Sequence, residues 1–276
     1  MPMIASPAGH GTLELQRVAG RTVVTRSQAS SPLKLLTPRR RHEAAWVYTS
    51  TFGGGMVAGD RTHLDVTLHD GASCVLTTQA SSKVYRDPQQ KGCRQSLSVK
   101  LGEEALIVVA PDPVTCYAEA IFMQQQDFQL TPTSSLVIVD WLTSGRRAYG
   151  ETWDFTRYQS RIDVHQDEKH LLADTLLLDP EIGPLDGPFR LGRFHCLGLM
   201  VLAGPQATAA AESLVTELDG SPVEQGAELI EAVSPHDFGA VYRVAGISTQ
   251  LVADRLRQRL SWLEPLLGAA PWDRKW

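Results

Sequence analysis

The sequence contains no asparagine at all, so it offers no N-glycosylation acceptor and leaves Asp-Gly pairs to make its tight hairpin turns. It also lacks any excess of basic residues: 26 Lys and Arg stand against 31 Asp and Glu, a net charge of -5, which excludes the phosphate contacts that dominate nucleic-acid binding. No apolar run approaches the roughly 20 residues of a membrane-spanning helix, and Met1 to His10 has neither the charged start nor the apolar centre of a signal peptide. The expectation is a cytoplasmic protein without a membrane partner. The four cysteines, Cys74, Cys93, Cys116 and Cys196, form no C-x-x-C pair and read as small buried apolar residues rather than a zinc knuckle or redox pair.

Several reaction signatures are missing as well. The glycine stretch Phe52-Gly-Gly-Gly-Met-Val-Ala-Gly-Asp60 has no following Gly-Lys-Ser/Thr and is not a phosphate-binding loop. A strand rather than a helix follows it, so it is not a dinucleotide fingerprint either. There is no G-x-S-x-G elbow and no H-E-x-x-H helix. His63 and His69 share a strand face but lie about 20 Å apart at strand rise, too far to share a metal, and read as surface residues.

What is present is a β pattern. Leu13 to Gln16 and Arg21 to Thr25 read as a strand pair around Ala19-Gly20, after a flexible start over residues 1–11. The basic run Arg39-Arg40-Arg41-His42 reads as a solvated loop, and Ala44 to Ser50 as a strand leading into the glycines. Gly53, Gly54, Gly55 and Gly59 require either positive φ or close backbone approach, with Asp60 fixed where the chain joins the next strand.

From Arg61 onward a unit of an alternating strand, a turn, a wholly apolar strand and a polar corner recurs about every 30 residues. The alternating strands carry Leu64, Val66 and Leu68, then Leu97, Val99 and Leu101, then Ile121, Phe128 and Leu130, then Ile162 and Val164. The apolar partners are Cys74 to Thr78, Ala105 to Ala110, Leu136 to Val139 and the weaker Leu171 to Ala173. Alternating strands have one wet face and continuous ones are buried on both, so the pattern predicts stacked, β-helix-like coils over 12–179. Beyond the Pro/Gly-rich loop 180–188, residues 189–267 predict strands and two helices, the second running continuously from Ser248 to Leu267, as a small α/β layer on that body. The fold class is therefore mainly β, in one domain over 12–276.

If the coils stack, Asp112, Asp140 and Asp174 end corresponding strands, with Asp60 where the first coil begins and the hydroxyls of Thr77, Thr78, Ser81 and Ser82 nearby. Two readings of these acids stand at this point. They form a column of oxygen ligands for a divalent cation, or each caps its own turn. Two functional classes stand with them: a carbohydrate-acting β-solenoid enzyme using paired carboxylates, and a non-catalytic scaffold. Aromatics are only 7% and do not cluster near the acids, which favours the scaffold.

Four ordered blocks add a resemblance. Gly53 to Asp60, Leu76 to Arg86, Pro111-Asp-Pro-Val114 and Gly145-Arg-Arg-Ala-Tyr-Gly-Glu151, with Ser31-Pro-Leu-Lys-Leu-Leu36 before them, resemble the signature blocks of the urease accessory protein UreD (UreH) family. The resemblance implies a non-enzymatic assembly factor with a mainly β fold of stacked coils. It implies complexes with UreF, through UreF with the GTPase UreG, and with apo-urease. It also implies no tightly bound cofactor and a transient passage of Ni²⁺ through an internal polar tunnel. Carried onto this chain, the tunnel candidates are Asp60, Ser82, Lys83, Asp140 and Asp174, the last standing where the family more often has glutamate.

Overall fold

The computed structural model of the protein describes residues 8–38 and 42–273. The basic run at 39–41 lies outside the described residues. The first strands, β1 (His10–Val18) and β2 (Arg21–Ala29), form a hairpin around Ala19 and Gly20, both at positive φ, and β1 begins inside the stretch expected to be flexible. β3 (Leu33–Leu36) pairs antiparallel with β4 (Ala45–Thr51), which runs into the glycines.

The expected coils follow. The first comprises β5 (Arg61–Leu68), β6 (Ser73–Thr78) and β7 (Ser82–Val84), and the second β8 (Cys93–Leu101), β9 (Leu106–Val109) and β10 (Val114–Cys116). The third comprises β11 (Ile121–Leu130) and β12 (Ser135–Thr143). Corresponding strands pair in parallel, so that Val66, Val99, Phe128 and Val164 share one rung through β13 (Arg157–Gln166). Three of those four side chains are aliphatic and all are buried, which makes this rung the centre of the core between the two sheets. β9 is buried at every residue because its sheet is covered on both faces, as the continuous apolar run predicts.

Three details depart from the sequence reading. In β11 the inward residues are Phe122, Gln124, Gln126, Phe128 and Leu130, so Ile121 has the wrong parity for the core. The corner expected at Asp140 is absent, since β12 runs on to Thr143 and hands over to β10 through Val114 and Thr115. The fourth unit does not cross to the other sheet: β14 (Lys169–Leu178) folds back antiparallel on β13 through a turn with Asp167 at φ +52. Leu171, Leu172 and Ala173 are only partly buried or exposed there, so they could not have formed a doubly covered strand.

The C-terminal strands β15 (Cys196–Ala203), β16 (Leu229–His236) and β17 (Gly239–Gly246) extend the second sheet antiparallel from β12. Helix α1 (Thr208–Leu218) follows β15 in the chain, and α2 (Thr249–Arg259) follows β17. They cover the outer face of that sheet through Ala211, Leu214, Val252 and Leu256. The predicted stripe Val252, Leu256, Leu260, Leu263 and Leu267 is buried throughout, but the helix is not continuous. It stops at Arg259 with Leu260 out of helical geometry, and a 3₁₀ turn precedes the short α3 (Glu264–Leu267), where Pro265 sits in the first turn. The first sheet has the order β14-β13-β11-β8-β5-β1-β2, and the second β16-β17-β15-β12-β9-β6-β4-β3.

Candidate functional site

Inward parity on the first sheet places a polar rung four residues before the apolar rung along the strands. Thr62, Gln95, Gln124 and Ser160 pair in register across β5, β8, β11 and β13. A rung across four strands spans about 14 Å at ordinary strand spacing. Thr62, Gln124 and Ser160 are buried, yet polar, which is costly unless they are hydrogen-bonded or face water.

Both needs are met by two cavities between the sheets. The first, about 120 Å³, is lined by Thr62, Gln95 and Gln124 from the first sheet and by Thr77, Thr78 and Asp140 from the second. The second, about 350 Å³, has Asp140, Ser160 and Asp174 in its wall. Asp140 thus belongs to both. Its carboxylate accepts from Gln124 Nε2 at 3.2 Å and from the Ser160 hydroxyl. Burial pushes its pKa above the usual carboxylate range, the Asp174 charge adds to that, and the two hydrogen bonds oppose it. Asp174 lies in the middle of β14, opposite Ile162, and accepts from Arg243 of β17, whose side chain is half exposed.

The glycine stretch forms one rim of the first cavity. Gly54, Gly55 and Met56 line it together with Ser81, Ser82 and the exposed Lys83. Gly53 and Gly54 have φ of +83° and +72°. Gly55 is extended, but a Cβ there would stand 2.8 Å from Lys83 O and 2.7 Å from the Tyr85 ring. Met56 then bridges in parallel to Val84, so glycine lets the chain cross close beside β7.

Not every acid expected here reaches the cavities. Asp60 lines neither of them: its carboxylate accepts from Val57 N at 2.9 Å, closing the turn before β5. Asp112 exchanges hydrogen bonds with Thr78, whose hydroxyl donates to its carboxylate at 2.9 Å and accepts from its backbone N at 2.8 Å. That arrangement pins the corner after β9 and leaves Asp112 outside both cavity walls. Thr77 donates to Ala110 O at 2.6 Å across the same pair of strands. The glutamines were missed because Gln124-Gln125-Gln126 hides the alternation, and only their even numbering alongside Phe122 and Phe128 marks Gln124 and Gln126 as inward.

Thiolate ligands are withheld from this region. All four cysteines are free and buried. Burial pushes the Cys74 and Cys196 thiols up to about 12 and Cys93 to about 11, far from the thiolate that metals require. Among the described residues no helix is long and apolar enough to cross a membrane.

A second constellation joins two of the signature blocks. Glu151 is buried and accepts from Arg146 Nε at 2.9 Å, from Arg86 at 3.0 Å and from Ala118 N at 3.2 Å. Arg146 also stacks on the Tyr117 ring, 3.9 Å from its centroid. Arg146, above all, holds the Glu151 carboxyl down at about 2.

The paired acids of a glycosidase are not favoured by this arrangement. Asp60 and Asp112 close turns, and the aromatic residues in the walls around Asp140 and Asp174, Trp141 and Tyr158, are buried and present no exposed ring face to a sugar. Comparison with known proteins agrees with the signature blocks. The family model described as "UreD urease accessory protein" matches residues 8–276. A urease accessory protein UreD of Sorangium cellulosum is 46% identical over 99% of this chain and 86% of its own length. One from Anaeromyxobacter sp. is 39% identical over 99% and 91%, and the urease accessory protein D of Arabidopsis thaliana is 35% identical over 95% and 99%. A family match across nearly the whole chain, with relatives this similar over most of their own length, means that the chain belongs to the UreD urease accessory protein family.

Proposed function

We propose that this protein is a non-catalytic, cytoplasmic scaffold of urease maturation that binds UreF, through it the GTPase UreG, and apo-urease, and that it passes Ni²⁺ to the enzyme along its internal cavities. The observation that carries the nickel path is Asp140, a carboxylate shared by two successive cavities. The path would run from the rim at Gly55, Ser82 and Lys83, past Thr77, Thr78 and Ser81, to Asp140 and then Asp174.

Oxygen donors suit that task. A conduit must bind its ion weakly at several places, and hydroxyls, amides and spaced carboxylates hold a borderline cation less tightly than thiolates or clustered imidazoles. The raised pKa of Asp140 favours release, because a proton competes with the metal for the same oxygen. Asp60 and Asp112 would then act on the path only by fixing its corners.

The test is co-expression of Asp140→Asn with UreF, UreG and the urease subunits at limiting nickel, reading the nickel content of purified urease and co-elution with UreF. The expected result is an intact complex and nickel-poor urease. Wild-type nickel content with an intact complex would remove Asp140 from the path. A UreF complex that never forms with the wild-type chain would overturn the scaffold reading itself.

A further inference from the structure

On the outer face of the first sheet, parallel pairing brings together two histidines that lie 53 positions apart. His10 of β1 pairs in register with His63 of β5, and their ring centroids are 5.1 Å apart. Asp65, two residues beyond His63, projects from the same face. Its Oδ2 lies 3.0 Å from His10 Nε2 and its Oδ1 lies 3.0 Å from His63 Nε2. His63 is a partly exposed residue, as the sequence suggests, but its partner across the sheet is His10 rather than His69.

We propose that His10, His63 and Asp65 form a binding site for a borderline divalent cation such as Ni²⁺ or Zn²⁺ on the outer face of the first sheet. Metal–nitrogen and metal–oxygen bonds of about 2.0–2.2 Å place neighbouring ligand atoms about 3.0–3.5 Å apart, so the observed 3.0 Å spacings need little change. Two imidazoles and one carboxylate select this class of metal over Mg²⁺ or Ca²⁺, which take oxygen alone. All three residues are partly exposed, so solvent can complete the coordination.

The neighbour of His63 is equipped for the change of tautomer that binding requires. With both Asp65 oxygens accepting from Nε2–H groups, His63 Nδ1 carries no proton and accepts from the Ser96 hydroxyl at 2.7 Å. A metal at Nε2 takes the lone pair there, so the single proton of the neutral ring moves through solvent from Nε2 to Nδ1. Nδ1–H then donates to Ser96 Oγ, whose hydroxyl turns to Thr62 O, 3.3 Å away. A ring that is neutral beforehand therefore releases no net proton when the metal binds. Every remaining polar group keeps a partner, which is the usual support of a ligating histidine.

A similar trio elsewhere on this face lacks that freedom. Asp163, His165 and His170 also cluster, and the two rings stack at 4.3 Å. However, both Asp163 oxygens are held by Arg161, at 2.6 and 2.7 Å, and that fixed positive charge opposes a cation. Among the described residues Asp65 pairs with His10 and His63 and with no guanidinium. By strand alternation the His63 side chain leaves β5 on the face opposite Thr62, although His63 and Ser96 both count among the residues around the first cavity.

The test is Ni²⁺ titration of the purified full chain by calorimetry at neutral pH, with Cu²⁺ electron paramagnetic resonance as a second probe. His63→Ala and His10→Ala are each expected to weaken one site by at least about tenfold, and Ser96→Ala by less. The Cu²⁺ spectrum is expected to lose one nitrogen coupling in each histidine variant, while His170→Ala and Asp140→Asn leave the site unchanged. Unaltered Ni²⁺ affinity and Cu²⁺ nitrogen coupling in folded His63→Ala would overturn the proposal. So would loss of the site in His170→Ala alone.

Discussion

Gln124 donates to Asp140 at 3.2 Å and so ties the first sheet to the second where the two cavities meet. The bond is one of two holding a partly buried carboxylate whose pKa lies above the ordinary range because of desolvation. A carboxyl raised in the folded state binds its proton more tightly than in the unfolded chain, so its ionisation removes stability as pH rises from the unfolded value near 3.8 through the folded one. Asp140→Asn keeps an oxygen for Gln124, turns an N–H towards the Ser160 oxygen and removes the charge. The variant is expected to melt higher than wild type at pH 7, with the gain shrinking as pH falls towards 4. Thermal melts of both proteins across that range check the sign, and a lower melting temperature at pH 7 would refute it.

Glu151 behaves in the opposite sense. Its carboxyl is held at about 2 by Arg146 first and Arg86 with it, against an unfolded value of 4.5. Its contribution is present in full above pH 4.5 and is lost as pH falls from there towards 2. Glu151→Gln is expected to cost about 1.5–3 kcal/mol at pH 7, the range for hydrogen bonds to a charged group, and to flatten the acid limb of the stability curve. Denaturant unfolding at pH 7 and pH 3 measures both; an equal loss at the two values would mean that charge is not the cause.

How far these features were legible in the sequence depends on the range of the contact. The coils were legible, because Leu64, Val66 and Leu68 alternate while Leu106 to Val109 do not, and those periods follow directly from which faces are covered. The acids were visible as residues but not as neighbours. Asp174 joins Asp140 only because β14 folds back instead of crossing over, and nothing in Leu171 to Ala173 announces that. Gln124 was hidden by two identical neighbours, and His10 met His63 only through a parallel pairing that no local pattern encodes. Asp60 shows the converse: its local signal was strong because it serves a local turn.

The glycine rim allows a sharper test of close approach against backbone freedom. Gly53 has φ +83° with open space around its Cβ position, whereas Gly55 is extended but hemmed in by Lys83 O at 2.8 Å. Gly53→Ala is expected to cost about 1–2 kcal/mol through left-handed backbone strain alone. Gly55→Ala is expected to cost about 1–3 kcal/mol through overpacking, and to loosen the Met56–Val84 bridge. Hydrogen exchange at Met56 and Tyr85, whose amides bond Lys83 O and Met56 O at 2.8 and 2.9 Å, separates the two. Faster exchange in the Gly55 variant alone is the expected pattern.

Gln126 offers the clearest opposition between stability and passage. It is buried, 6% exposed, on a rung whose other members are Leu64, Leu97 and Ile162, and it faces the first cavity. Leucine at that position continues the apolar rung and removes an amide from a buried surface. Gln126→Leu is therefore expected to raise stability by about 1 kcal/mol, the order of one additional buried methylene group. The same change makes that wall of the cavity apolar, where a hydrated cation needs oxygen partners. If Ni²⁺ travels between the sheets, urease matured with this variant at limiting nickel should contain less metal even though the scaffold is more stable and still binds UreF. Melting temperature and urease nickel content, measured on the same preparations, decide it: a parallel rise in both would place the ion's route elsewhere.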